Sequence, residues 1–155
     1  MKTIPVIVSR AQIDQTIGLL RQAGHQECVL LWLGQRDASS QRIEEVFLPL
    51  QERQFDYFVI SRPGMAELMA RLRTKGLYVV SQIHTHPGEA FHSPTDDKWA
   101  IVRHVGALSI VLPCFAMSTT LDNFLQQAAV FHLSASNAWK PVKPRQLSRR
   151  LIIIP

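Results

Sequence analysis

Long apolar runs are missing from this chain. No stretch approaches the roughly 20 residues that a membrane helix needs. The start, Met1-Lys2-Thr3-Ile4-Pro5, has neither the apolar segment nor the small-residue cleavage site of a secretory leader. A soluble cytoplasmic protein with no membrane partner is expected. Cysteine is scarce too: Cys28 and Cys114, 86 positions apart, form neither a disulfide-rich framework nor a Cys-x-x-Cys zinc pair, so two free, buried thiols are expected. Repeats, low-complexity tracts and linkers are absent, leaving one compact unit over residues 1–155. Basic charge is not concentrated either. Seventeen Lys and Arg against twelve Asp and Glu give +5, without the dense stripe of a dedicated nucleic-acid binder. The densest basic stretch is Lys140 to Arg150, within a C-terminal segment of residues 140–155.

What is present is an alternation of strand and helix signals around a sizeable core, since 46% of the 155 residues are hydrophobic. Ile4 to Val8 reads as a strand, and Ser9 with Gln12 is a capping-box signal for a helix with Ile13, Ile17 and Leu20 inward and Gly24 as its C-cap. Cys28 to Leu33, closed by Gly34, is the continuous apolar pattern of a strand covered on both faces, with Glu27 at its mouth. Ile43 to Leu50 and Phe55 to Ile60 read as strands. Ser61 and Pro63 open a helix through Met65, Leu68, Met69 and Leu72 that Gly76 ends. Leu77 to Ile83 is a strand running into His84-Thr85-His86-Pro87-Gly88, and Ser93-Pro94-Thr95-Asp96 starts a helix predicted to reach about His104. Ala107 to Leu112 and Ala128 to Leu133 complete the strands, and Leu151 to Ile154 is a last strand or a docking tail. The class is α/β or α+β, a mixed sheet flanked by helices.

His84 and His86 stand two apart at a strand end, so both imidazoles project from one face and can meet one ion. An acid on the first turn of the next helix, Asp96 or Asp97, completes three protein ligands and leaves the fourth position of a zinc ion to water. Hydrolysis there needs a carboxylate to move a proton, for which Glu27 is available, and a donor for the developing oxyanion, for which Ser93 is available.

Together these residues resemble the JAMM metalloproteases, also called the JAB or MPN-plus domain, whose signature is Glu, then His-x-His, then Ser-x-x-Asp. Glu27, His84-Thr85-His86-Pro87 and Ser93-Pro94-Thr95-Asp96 carry the match, and the strands Glu27 to Gly34 and Gly106 to Pro113 are similar in their framing. The resemblance covers roughly residues 10 to 135. It implies the JAB/MPN fold, related in outline to cytidine deaminases, and a Zn2+ ion held by His84, His86 and Asp96. Glu27 is then general acid/base to a zinc-activated water, and Ser93 stabilises the oxyanion. The implied reaction is peptide or isopeptide cleavage after the C-terminal Gly of a ubiquitin-like protein, for deconjugation or precursor maturation. The run His92-Ser93-Pro94-Thr95-Asp96-Asp97 is similar to the short bacterial branch that accompanies ubiquitin-like conjugation or sulfur-carrier systems, which implies activating or conjugating enzymes as partners.

Two departures stand out. Six residues separate His86 from Ser93 where the family usually has seven, so counting from Ser93 selects Asp96 and counting from His86 selects Asp97. Asp96 is preferred because Ser and Asp share one rigid helix start, while a loop absorbs a deletion. Leu30 stands where the family often has Gly, which bears on packing more than on chemistry.

Plainer readings apply to the rest. Ser93 with Asp96 is, alone, an ordinary capping box. His25, His92, His104 and His132 read as exposed histidines without partners, and Trp32 and Trp99 as packing residues. Cys114 lacks the second Cys of a zinc deaminase, and Arg145, Arg149 and Arg150 read as a solvated face. Three alternatives to the isopeptidase follow. One is C-terminal processing of a sulfur carrier, and another is a non-catalytic MPN-type interaction scaffold, against which intact Glu27 argues. The third and weakest is salt-dependent nucleic-acid binding through the basic segment.

Overall fold

The computed structural model describes residues 3–93, Asp96 and residues 100–155. Strand β1 (Val6–Ser9) leads into α1 (Arg10–Gln22), and the full capping box forms between Ser9 and Gln12. The helix closes on Ala23 rather than Gly24, which follows in left-handed backbone at φ 65°. Strands β2 (Val29–Arg36) and β3 (Gln41–Phe47) pair antiparallel. The run expected from Ile43 to Leu50 stops at Phe47. A separate hairpin follows, β4 (Gln51–Arg53) with β5 (Phe58–Ile60). Helix α2 (Arg62–Lys75) starts at the Ser61 cap and ends at Gly76, again left-handed. Strand β6 (Tyr78–Thr85) runs parallel to β7 (Leu108–Leu112). A short α3 (Phe124–Gln127), β8 (Ala129–Leu133), β9 (Trp139–Pro141), α4 (Pro144–Arg150) and β10 (Leu151–Ile154) finish the chain.

Among the described residues eight strands make one mixed sheet in the order β10-β1-β3-β2-β6-β7-β8-β9, and β4 with β5 makes a second, small one. Leu151 to Ile154 is therefore a strand, parallel to β1. Alternation along β2 splits the core. Leu30 and Trp32 join Ile13, Ile17 and Leu20 of α1 on one face, while Val29, Leu31 and Leu33 join Leu68 of α2 on the other. Both faces of β2 are thus dry, as its unbroken apolar run predicts. Met69, predicted inward, is 50% exposed, because the buried stripe of α2 passes through Met65, Leu68 and Leu72 instead. Cys28 is buried but Cys114 is exposed, although Phe115 and Ala116 beside it are buried.

Gly34 sits at a bulge against β3, where an added Cβ would lie 2.0 Å from the Arg42 carbonyl oxygen. Two backbones cannot separate without breaking the ladder. Gly34→Ala is therefore expected to lower unfolding stability by about 3 kcal/mol, read as a lower urea midpoint; an unchanged midpoint would show that β3 can move aside freely.

Candidate metal centre

The site lies at the carboxyl end of β6, where the chain leaves the sheet before returning along parallel β7, the usual place for a ligand in such sheets. His84 is within β6, paired with Val29 on one side and Val111 on the other, and fully buried. His86 lies one residue past the strand end and is 4% exposed. Thr85 points the opposite way, and its hydroxyl accepts from the Cys28 N–H at 3.1 Å while its own N–H donates to the Cys28 carbonyl at 3.1 Å. That reciprocal pair fixes Glu27, one residue earlier, beside the two histidines. The Glu27 N–H also donates to the Gln54 carbonyl at 2.7 Å in the turn between β4 and β5.

The three predicted ligands converge. His84 Nε2 and His86 Nε2 are 3.2 Å apart, and Asp96 reaches both, Oδ1 to His84 Nε2 and Oδ2 to His86 Nε2, each at 3.2 Å. Asp96 is in helical backbone, and its carboxylate also accepts the Ser93 N–H at 2.8 Å while its own N–H donates to Ser93 Oγ at 3.0 Å. The capping box therefore aims the acid at the histidines. The Asp97 alternative lies outside the described residues, as do Pro94, Thr95, Lys98 and Trp99 of the predicted helix; Ala100 to His104, which that helix is predicted to include, are bend and coil.

A divalent ion fits this cluster. Two donors bound at about 2.0–2.1 Å in a tetrahedral array sit roughly 3.3 Å apart, close to each 3.2 Å separation found between the donor atoms. Phe58 lies against His84 with ring centroids 5.5 Å apart and Phe91 against His86 at 4.6 Å, so packing orients both rings. Among the described residues the buried Nδ1 atom of His84 has no hydrogen-bond partner, and Phe58 packs against that ring. Burial alone would raise the Asp96 carboxyl, but hydrogen bonds from His84 and His86, the His84 charge and the Ser93 N–H together hold it well below the usual range. Burial likewise opposes charge on His86, yet the Asp96 hydrogen bond and charge, with Glu27, leave its pKa raised.

Glu27 is 6% exposed and lines the same cleft without ligating the cluster. Burial pushes its pKa from 4.5 to about 7; His86 pulls it down, and Asp96 and Asp56 push it up further. A raised pKa means that the folded chain holds the Glu27 proton more tightly than the unfolded chain does. Stability of the metal-free protein thus falls as pH rises from 4.5 towards 7, and the full cost is present above pH 7. With metal chelated, Glu27→Gln is expected to melt several degrees above wild type at pH 8, a gain on the order of 2–3 kcal/mol, and to differ little at pH 5. Equal melting at both pH values would contradict the burial argument.

The cleft holds about 440 Å³ and is walled by Phe58, Pro87, Phe91 and Ile101. Among the described residues four acids, Glu27, Asp56, Glu89 and Asp96, line it and no Lys or Arg does, although the chain as a whole is basic. Two features were not legible in sequence. His92 is half-buried, not an exposed loop residue: its Nε2 lies 3.0 Å from Ser109 Oγ, which also accepts from Gln82 Nε2 at 3.0 Å. Gln82 Oε1 in turn accepts the Ile101 N–H at 2.9 Å, so one polar chain ties both ends of the metal loop to the sheet. The Gln51 amide pairs with both Val29 N–H (2.9 Å) and Val29 carbonyl (2.8 Å), replacing β3 where that strand peels away from β2. Neither has a local sequence signal, because the partners are 17 to 27 residues apart.

A mixed sheet brings two histidines and an acid together at a strand's carboxyl end, a group that could hold a metal ion, with a separate buried carboxylate in the same cleft. A protein of Sinorhizobium fredii named a probable metalloprotease is 36% identical over 140 residues, covering 86% of this chain and 85% of that one. Two solved structures share the fold. One, a protein from Desulfitobacterium hafniense, superposes with a TM-score of 0.65 at 18% identity, covering 96% of this chain and 92% of the other. The second, a JAB1/MPN domain protein from Archaeoglobus fulgidus, gives 0.54 at 11%, covering 99% and 100%. No protein-family model matches. The chain belongs to the metalloprotease family of the Sinorhizobium protein, has the JAB/MPN fold and is a hydrolase. No helix among the described residues is long and apolar enough to cross a membrane.

Proposed function

We propose that the chain is a zinc-dependent isopeptidase or peptidase that cleaves after the C-terminal Gly of a ubiquitin-like protein. The observation that carries this reading is the buried Glu27 carboxylate, outside the ligand set yet in the same cleft. A site that only bound metal would have no use for a second desolvated acid. His84, His86 and Asp96 hold the ion. Zinc bound there would supply a Lewis acid for the attacking water and the scissile carbonyl. Glu27 accepts the proton from the attacking water and delivers it to the leaving nitrogen, so that the C–O bond forms as the C–N bond breaks. Ser93 Oγ already accepts from Asp96 and keeps its own proton free to donate to the carbonyl oxygen.

An extended substrate tail suits the surroundings. Among the described strands β5 pairs only with β4, which leaves one β5 edge beside the cleft that Phe58 lines. The acidic mouth favours a tail with basic residues near its terminal Gly. Activating or conjugating enzymes are then natural partners.

The test uses ubiquitin-like proteins fused through their terminal Gly to a reporter, with the same fusions lacking that Gly as controls. Reporter release from the Gly fusions alone, stopped by a chelator and restored by zinc, is expected. Zinc-loaded protein that cuts both sets equally, or neither, contradicts the substrate assignment. A one-residue extension in place of the reporter reads out sulfur-carrier processing on the same terms.

A further inference from the structure

The turn after β7 runs against the usual hand of the chain. Cys114, Phe115 and Ala116 have φ of 52°, 53° and 60°, three consecutive left-handed residues of which none is glycine. Left-handed backbone crowds the Cβ of every such residue, so single residues adopt it and runs rarely do. Something must hold this one. Ala116 is fully buried, and the buried Phe115 ring sits 5.6 Å from both His25 and Phe55. Arg21, in the last turn of α1, donates from Nε to the Ala116 carbonyl at 2.9 Å and from its terminal nitrogen to the Thr119 carbonyl, with the Met117 carbonyl at 3.5 Å. One planar guanidinium therefore collects the carbonyls that the turn turns outward.

The strained turn serves the metal loop. It presents the Phe115 N–H to the His86 carbonyl at 2.9 Å and the Cys114 N–H to the Gly88 carbonyl at 3.0 Å. The His86 N–H donates to the Leu112 carbonyl at 3.0 Å, just before the same turn. His84 takes its position from two neighbouring strands, whereas His86 lies past the end of β6 and depends on this segment for both its backbone groups. Strain of this kind persists only where the surroundings over-determine it, and it gathers at functional sites.

We propose that Arg21 is a positioning residue for the metal centre: by clamping the left-handed turn at residues 114–116 it fixes the backbone, and with it the imidazole, of His86. The inference rests on the reading that His84, His86 and Asp96 hold a metal ion.

The test is metal affinity of the full chain, with zinc in competition against a chromophoric chelator, together with the visible absorption of the cobalt-substituted protein. Arg21→Gln is expected to bind zinc about tenfold more weakly, the usual effect of losing an outer support of a ligand, and to show an altered cobalt spectrum. Arg21→Lys keeps the charge but cannot span the carbonyls, so it should fall between the two; it decides the matter if Arg21→Gln does not fold. Gly76→Ala, which strains the left-handed cap of α2 away from the site, is the control for lost stability alone and should keep wild-type affinity and spectrum. Wild-type affinity in both Arg21 variants, or an equal loss in Gly76→Ala, overturns the proposal. Failure of the wild type to bind zinc or cobalt would overturn the underlying ligand reading instead.

Discussion

Glu27→Gln is expected to keep its metal and to cleave about 10²–10⁴-fold more slowly than wild type, the range that a positioned proton-transfer group contributes. The side chain is not one of the three converging donors, so removing its charge leaves the ligands in place. In the proposed mechanism, what disappears is the group that would collect the proton from water and hand it to the leaving nitrogen. The same carboxylate should shape the pH profile. Its pKa of about 7 belongs to the metal-free chain, and a dication beside it favours the ionised form, so the acid limb of kcat/KM should lie below pH 7. Activity of Glu27→Gln equal to wild type, at full metal occupancy, would remove Glu27 from the mechanism.

The second large effect concerns the ligands. Asp96→Ala is expected to lose the metal and, with it, activity. It removes one of three protein donors, the only anionic one, and also releases the two histidines that its carboxylate bridges. His84→Ala should do the same. Asp97→Ala should retain metal, because the Ser93 capping box already turns Asp96 towards the histidines. Metal content after extensive dialysis, and the melting increment that saturating zinc gives each variant, read this out, since an ion that binds only the folded chain raises its stability by mass action. Metal loss in Asp97→Ala alone would put the ligand register one residue further on.

Much of this site can be read along the chain because its parts are local. A His-x-His at a strand end places both rings on one face whatever the rest of the fold does, and Ser93-x-x-Asp96 is a helix start that aims its own acid. The loop from His86 to Ser93, one residue shorter than usual for the family, still lets Asp96 reach both imidazoles. The apolar run of β2 announced a strand dry on both faces, and α1 and α2 began at their predicted Ser9 and Ser61 caps. What escaped was decided at long range. The segment from Ile43 to Ile60 reads as two strands, yet it breaks into β3 and a hairpin because the Gln51 amide substitutes for a strand at Val29. His92 looks like a loop histidine until Ser109 meets it. The left-handed turn at Cys114-Phe115-Ala116 carries no glycine to advertise it, and the Arg21 guanidinium that bonds its carbonyls comes from almost a hundred residues earlier.

The most direct test of the central claim is zinc content per chain in protein purified without added metal, measured for wild type, Glu27→Gln and His86→Ala side by side. Near one zinc in wild type and Glu27→Gln, with little in His86→Ala, is the predicted result. No zinc in wild type, or as much in His86→Ala as in wild type, would contradict it.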